Sequence, residues 1–212
     1  MGTLTVKQRG QALVEITLFL PIFIIIIVGL FEMGYLIIRY TQLIDATREA
    51  ARYGADLDPR VYDPRYNHNS QDYDVSFVLD CNAVIDFYTT LGCFASELVP
   101  TLLNPDNGWD DVVVTAWTVD SRGRVVYNFP WDTERGWSMF GNQETRITRA
   151  FLLERMDIGK DDETFRQGAV IIEVFRTHRQ FLCFPIYTVF IPCEMPVYDY
   201  AVFANVTAGS IP

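Results

Sequence analysis

The sequence predicts an α+β protein: a long N-terminal hydrophobic helix followed by a β-rich, antiparallel domain. Three observations predict it. Sixteen residues without a charge run from Ile16 to Phe31. Helical spacing then continues to Gly54. Beyond about residue 56, runs of β-branched and aromatic residues recur. The chain divides accordingly into a basic leader (1–10), a helix (11–55) and a β-rich domain (56–212).

The charge-free run reads ITLFLPIFIIIIVGLF; Glu32 interrupts it and MGYLII extends it to Ile38. At about 1.5 Å per residue, Ile16–Ile38 spans roughly 34 Å, enough to cross a hydrocarbon core of about 30 Å. A cleaved secretory signal has a shorter apolar region and then a small-residue cleavage site. Neither is present, so a retained single-pass anchor is expected.

Downstream, Leu36, Tyr40, Leu43, Thr47, Ala50, Ala51 and Gly54 recur at spacings of three and four. Asp45–Arg48 and Glu49–Arg52 are opposite-charge pairs at i, i+3. Gly54 reads as a C-cap, with Asp58-Pro59 and Asp63-Pro64 beyond it. Pro21 should kink this helix, and Gly29 and Gly34 should soften it.

Strand-like runs occupy 74–79, 83–89, 112–119, 123–129, 145–153, 168–177, 181–191 and 196–206, with helical turns expected near 94–103 and 133–140. Gly123 within SRGR signals a hairpin. Pro185 and Pro192 mark the 181–191 run as an edge or a broken strand.

Net charge is −10, from 17 Lys+Arg against 27 Asp+Glu. No nucleic-acid partner is expected, since phosphates demand clustered Lys and Arg. The acidic surface falls on the domain and favours solubility.

Lys7 and Arg9 flank one end of the apolar run, and Arg39, Arg48 and Arg52 follow the other, so basic residues do not choose an orientation. The cysteines do. All four (Cys81, Cys93, Cys183, Cys193) lie in the domain. An even set reads as disulfides, which places the domain outside the cytoplasm. Three connectivities are open, and the local pairings Cys81–Cys93 and Cys183–Cys193 are favoured by their spacing. Four buried free thiols in a cytosolic fold are the competing reading.

No enzyme is expected. His68 and His178 are the only histidines and have no metal spacing. RGWSMFG around Ser138 departs from GxSxG by one residue. The paired acids Asp110-Asp111 and Asp161-Asp162 carry no further signature. No cofactor is expected, although the oxygen-rich loops Asp63–Asp74 and Asn104–Asp111 could hold calcium. Neither loop has EF-hand spacing, and ordinary turns need the same residues. Asn205-Val206-Thr207 fits the glycosylation pattern. The aromatics, all four tryptophans included, read as core, with adhesion to a sugar or a surface as the other reading.

The segment RGQALVEITLFLPIFIIIIVGLFEMGYLIIRYTQLIDATREAARYGA resembles TadE-like proteins, the pilin-like proteins of the tight-adherence branch of type IV pili. Its specific elements are Arg9-Gly10, Glu15, Pro21 and the stretch Ala46–Tyr53. AVIIEVFRTHRQFLCFPIYTVFIP is similar, more loosely, to the last strands of some members. The resemblance implies that a prepilin peptidase cuts between Gly10 and Gln11. It also implies packing of the helix with other pilin-like subunits, and pairing of Glu15 with a neighbour's N-terminal amine. A carboxylate at the start of an apolar helix fits that role, because a neighbouring ammonium would neutralise it. Pro21 belongs to the same assembly helix. Glu32, at the far edge of the apolar run, is expected to snorkel toward Arg39 or to meet another subunit. The function expected is a structural membrane pilin or pseudopilin displaying an acidic domain. The alternative is an accessory single-pass subunit of an unrelated membrane complex that keeps its leader.

Overall fold

The computed structural model describes residues 6–59, 81, 86–99, 103–120, 125–129, 135–155, 166–181, 183 and 192–205. The expected strand at 74–79, most of that at 181–191, the Asp63–Asp74 loop, the Gly123 turn, His68 and Asp161-Asp162 lie outside the described residues. Two compact units are present: Met1–Arg39 with Arg179–Glu194, and Tyr40–His178 with Met195–Pro212.

Helix α1 runs from Val6 to Ala55, 50 residues or about 75 Å. Pro21 lies inside it. Lacking an N–H, Pro21 gives nothing to the carbonyl of Thr17. One turn earlier the Thr17 hydroxyl donates to the Leu13 carbonyl at 2.8 Å.

In the second unit, α1 buries Leu43, Ala46, Thr47, Ala50, Ala51 and Gly54, a stripe at helical spacing. Gly54 ends this stripe for a reason other than capping. Its backbone is not left-handed, and a Cβ there would stand 2.7 Å from Leu91 Cδ1 and 3.3 Å from Val170 Cγ2. Close packing requires glycine here. The helix end is instead held by Asn205, whose Nδ2 donates to the carbonyls of Gly54 (2.9 Å) and Leu57 (3.0 Å).

Helix α2 (Phe87–Leu98) takes the place of the last part of the strand expected over 83–89, whose residues 83–85 lie outside the described ones. Asp86 caps it, its Oδ1 accepting from the amides of Tyr88 (2.9 Å) and Thr89 (3.0 Å). That cap outweighs the β preference of the aromatic and threonine residues that follow.

Strands β1 (Asp111–Asp120), β2 (Val125–Phe129), β4 (Arg166–Arg179) and β5 (Glu194–Asn205) form an antiparallel sheet in the order β2-β1-β4-β5. The two-residue β3 (Trp137–Ser138) also pairs with β1, where a helical turn was expected. Gly136, just before it, has φ +74°, and a Cβ there would meet Val113 Cγ1 at 2.8 Å. A glycine is what lets this segment lie against β1. The run expected as a strand over 145–153 is instead a stretch without regular structure leading into helix α3 (Arg149–Arg155).

β1 is buried along its whole length and reads as a central strand, DVVVTAWTVD. Val112, Val114 and Ala116 share one core with Val170, Ile172 and Val174 of β4, under α1 and α2. Trp117 and Val119 share the other with Ala169 and Ile171, under Ile147 and Leu152. Register follows suit: Val114 faces Ile172 and Asp111 faces Phe175.

Candidate assembly interface

α1 changes character along its length. From Leu13 (67% exposed) to Phe31 (76%) most of its large apolar side chains are exposed, with Ile25 and Val28 partly covered. From Leu43 (1%) one stripe is covered. The helix is long and apolar enough to cross a membrane.

Of the residues singled out in the sequence, Gly10 and Gln11 lie within α1. Glu15 is exposed on the same helix, at the start of the apolar run. Pro21 is also exposed. Glu32 lies 17 residues beyond Glu15, about 26 Å along the axis, so the structure does not bring the two together.

Glu32 is half-buried, and its Oε2 accepts the backbone N–H of Phe181 at 3.1 Å. The Phe181 ring meets Tyr35 at 6.3 Å between centroids. Arg39 stacks over Tyr35 at 5.0 Å. Nothing local in the sequence joins Tyr35 to Phe181; they lie 146 positions apart.

Cys81 is bonded to Cys93 and Cys183 to Cys193, with Cα–Cα separations of 5.6 and 5.2 Å. Cys93, on α2, is part of the core. Cys183 and Cys193 close a loop in the unit that also holds the first part of α1.

Two of the domain's buried carboxylates, Asp111 and Glu173, are surrounded by hydrogen-bond donors. Asp111 accepts five hydrogen bonds: from the Ser138 hydroxyl (2.6 Å) and from the amides of Val112, Phe140, Asn142 and Gln143 (2.8–3.0 Å). It thereby organises the turn after β3. Burial holds its carboxyl above the ordinary carboxylate range, against the pull of those donors. Glu173, in the middle of β4, accepts from the Thr145 hydroxyl, from the Arg146 amide (2.9 Å) and from the Tyr198 hydroxyl (2.7 Å). Burial raises its carboxyl too, and it raises the Tyr198 phenol, with the Glu173 charge adding to the latter. Above this pair the Arg146 guanidinium stands 5.0–5.1 Å from the rings of Trp109, Phe175 and Tyr198. The sequence signal was available: a lone acid inside AVIIEVF is a charge in a buried strand.

The Asn104–Asp111 loop spends its oxygens internally. Asn104 Oδ1 accepts from the Asp106 amide, and Asn107 Oδ1 from those of Trp109 and Asp110. Asp110 accepts from the amides of Asn104 and Thr177. Among the described residues, no group of three or more His, Cys, Asp or Glu is placed to hold a metal. Asn205 is buried, and the nitrogen a glycan would take is the one donating to α1.

Residues 10–52 match the family model of TadE-like proteins. The match covers 43 of the 212 residues, all within α1. It contains Glu15, Pro21, Glu32 and most of the buried stripe from Leu43 to Gly54. No curated protein and no solved structure matches the chain.

Proposed function

We propose that the chain is a structural, pilin-like subunit. Its α1 anchors in a membrane and packs with the helices of similar subunits in a pilus or a pilus-assembly complex. The observation that carries this reading is the coincidence of the TadE-like match with a helix that is apolar and mostly exposed from Leu13 to Phe31. A helix hydrophobic all round needs lipid or other apolar helices about it. The two disulfides support placement of the acidic sheet domain outside the cytoplasm. No catalytic role is proposed.

Under this reading a prepilin peptidase cuts between Gly10 and Gln11. Glu15 then faces the new N-terminal ammonium of a neighbouring subunit. N-terminal sequencing with intact mass of the native protein tests processing: a start at Gln11 is expected, and a start at Met1 or Gly2 would leave the accessory-subunit reading in its place. Glu15→Ala is expected to insert into membranes normally and to be depleted from the assembly. Normal incorporation would remove the proposed pairing.

A further inference from the structure

Arg146 is exposed, yet its side chain is held in place. The guanidinium carbon stands 5.0 Å from the centre of the Trp109 ring and 5.1 Å from those of Phe175 and Tyr198. Three rings converging on one cation restrain a long side chain before any ligand arrives, which lowers the ordering cost of binding. What the guanidinium lacks is an acceptor. Among the described residues nothing hydrogen-bonds to it or forms an ion pair with it. Glu144, two residues before it, faces Arg135 at 3.6 Å. Glu173, beneath it, is occupied by the Thr145 hydroxyl, the Arg146 amide and the Tyr198 hydroxyl. The Trp109 Nε1–H of the same cluster is also buried with no acceptor among the described residues.

A restrained guanidinium with its fork unspent matches a planar oxyanion that offers two oxygens side by side. The chain's net charge of −10 repels densely charged polymers, so an isolated carboxylate fits better than a run of phosphates or sulfates. The neighbouring rings decide what carries that carboxylate. Tyr198 and Tyr200 alternate onto one face of β5, with centroids 6.0 Å apart and planes 28° from parallel. Phe151 meets Tyr200 edge-on at 5.4 Å. All three are partly exposed. A row of half-open aromatic faces beside a carboxylate receptor suits a pyranose, whose flat C–H faces lie on such rings while its carboxylate reaches aside. A peptide acid has no flat C–H face to lay there.

We propose that Arg146 and the row Tyr198, Tyr200 and Phe151 form a binding site for a uronic acid of a glycan. The carboxylate forks onto the Arg146 guanidinium, and the sugar ring stacks on Tyr200, one ring beyond Tyr198. The site lies wholly within the sheet domain and does not depend on how α1 is used.

The test titrates the full chain in detergent micelles with methyl glucuronide, methyl glucoside and acetate, read by saturation-transfer NMR. Saturable binding of the glucuronide is expected. The glucoside and acetate each keep half of the contact and should bind at least about tenfold more weakly. Arg146→Gln should bring the glucuronide down to the level of the glucoside. Arg146→Lys, which keeps the charge and loses the fork, should weaken it several-fold. Tyr200→Leu should bring it toward acetate. Unfolding midpoints are compared with the parent chain, and the three-ligand comparison, which needs no variant, decides alone should a variant misfold. Absence of saturable glucuronide binding would overturn the proposal, as would a glucoside or acetate that binds equally well. Glucuronide binding that Arg146→Gln leaves unchanged would overturn it too. So would tighter binding of N-acetylaspartate amide, which would assign the guanidinium to an acidic peptide instead.

Discussion

Glu173 and Asp111 are both buried acids, yet their surroundings predict different responses to losing a charge. Every group around Asp111 donates, with two amides on Oδ1 and the Ser138 hydroxyl and two amides on Oδ2. Asp111→Asn would aim an NH2 at donors whichever way it turned. It is expected to cost about 2–4 kcal/mol in urea unfolding, and a loss below the error of the fit would show that the five bonds do not hold the turn. Glu173→Gln keeps one acceptor oxygen for Arg146 and Tyr198, while Thr145 can rotate its hydroxyl to accept. Stability should therefore change by no more than about 1 kcal/mol. The pH dependence is the sharper readout. Because burial raises the Glu173 carboxyl, the folded chain holds that proton more tightly than the unfolded chain. Stability thus falls as pH rises upward from the ordinary carboxyl value of 4.5. Unfolding midpoints at about pH 5 and about pH 8 should differ less in Glu173→Gln than in the parent chain; an unchanged difference would move the titration to the other raised carboxyls, Asp111 and Asp199.

After Leu43 the buried stripe of α1 is made of small residues and ends at the closely packed Gly54. Gly54→Val would press methyl groups into Leu91 and Val170 and is expected to lower stability by about 1–3 kcal/mol. A variant as stable as the parent would show that α2 can withdraw. Legibility at this scale followed the strength of local signals. β1, β4 and β5 were readable because VVVTAWTV, AVIIEVF and the alternation after Glu194 have only one good conformation. α1 was readable from its apolar run and its three-four spacing. α2 was misread because Phe87–Thr90 looks like strand, although Asp86 before it is a good cap. α3 was misread because Ile147, Phe151 and Leu152 also suit a sheet; the Thr148 hydroxyl, which accepts from the Phe151 amide at 3.3 Å, was the overlooked start signal. Gly54 was singled out correctly and for the wrong reason, since its neighbours come from α2 and β4. The bond between Glu32 and Phe181 was not legible at all: nothing local links residues so far apart.

At the scale of the whole chain, the two disulfides belong to different compact units and should behave differently. Replacing Cys81 and Cys93 together by Ser removes a short closed loop that anchors in the core, and should lower the unfolding free energy of the sheet domain by about 2–3 kcal/mol. Replacing Cys183 and Cys193 together should leave that transition in place. Equal losses from both pairs would mean that the units unfold as one. The packing of α1 on the sheet has one more consequence, and it concerns the order of synthesis. The stripe from Leu43 to Gly54 leaves the ribosome early, while its partners on β4 and β5 come on the order of a hundred residues later. At about 5–20 residues per second, that face waits roughly 5–20 s for its cover. Ala46, Thr47, Ala50, Ala51 and Gly54 make it a poorly adhesive surface while it waits, where a row of leucines would seize the first apolar neighbour to pass. Small side chains thus suit the nascent chain as well as the finished one.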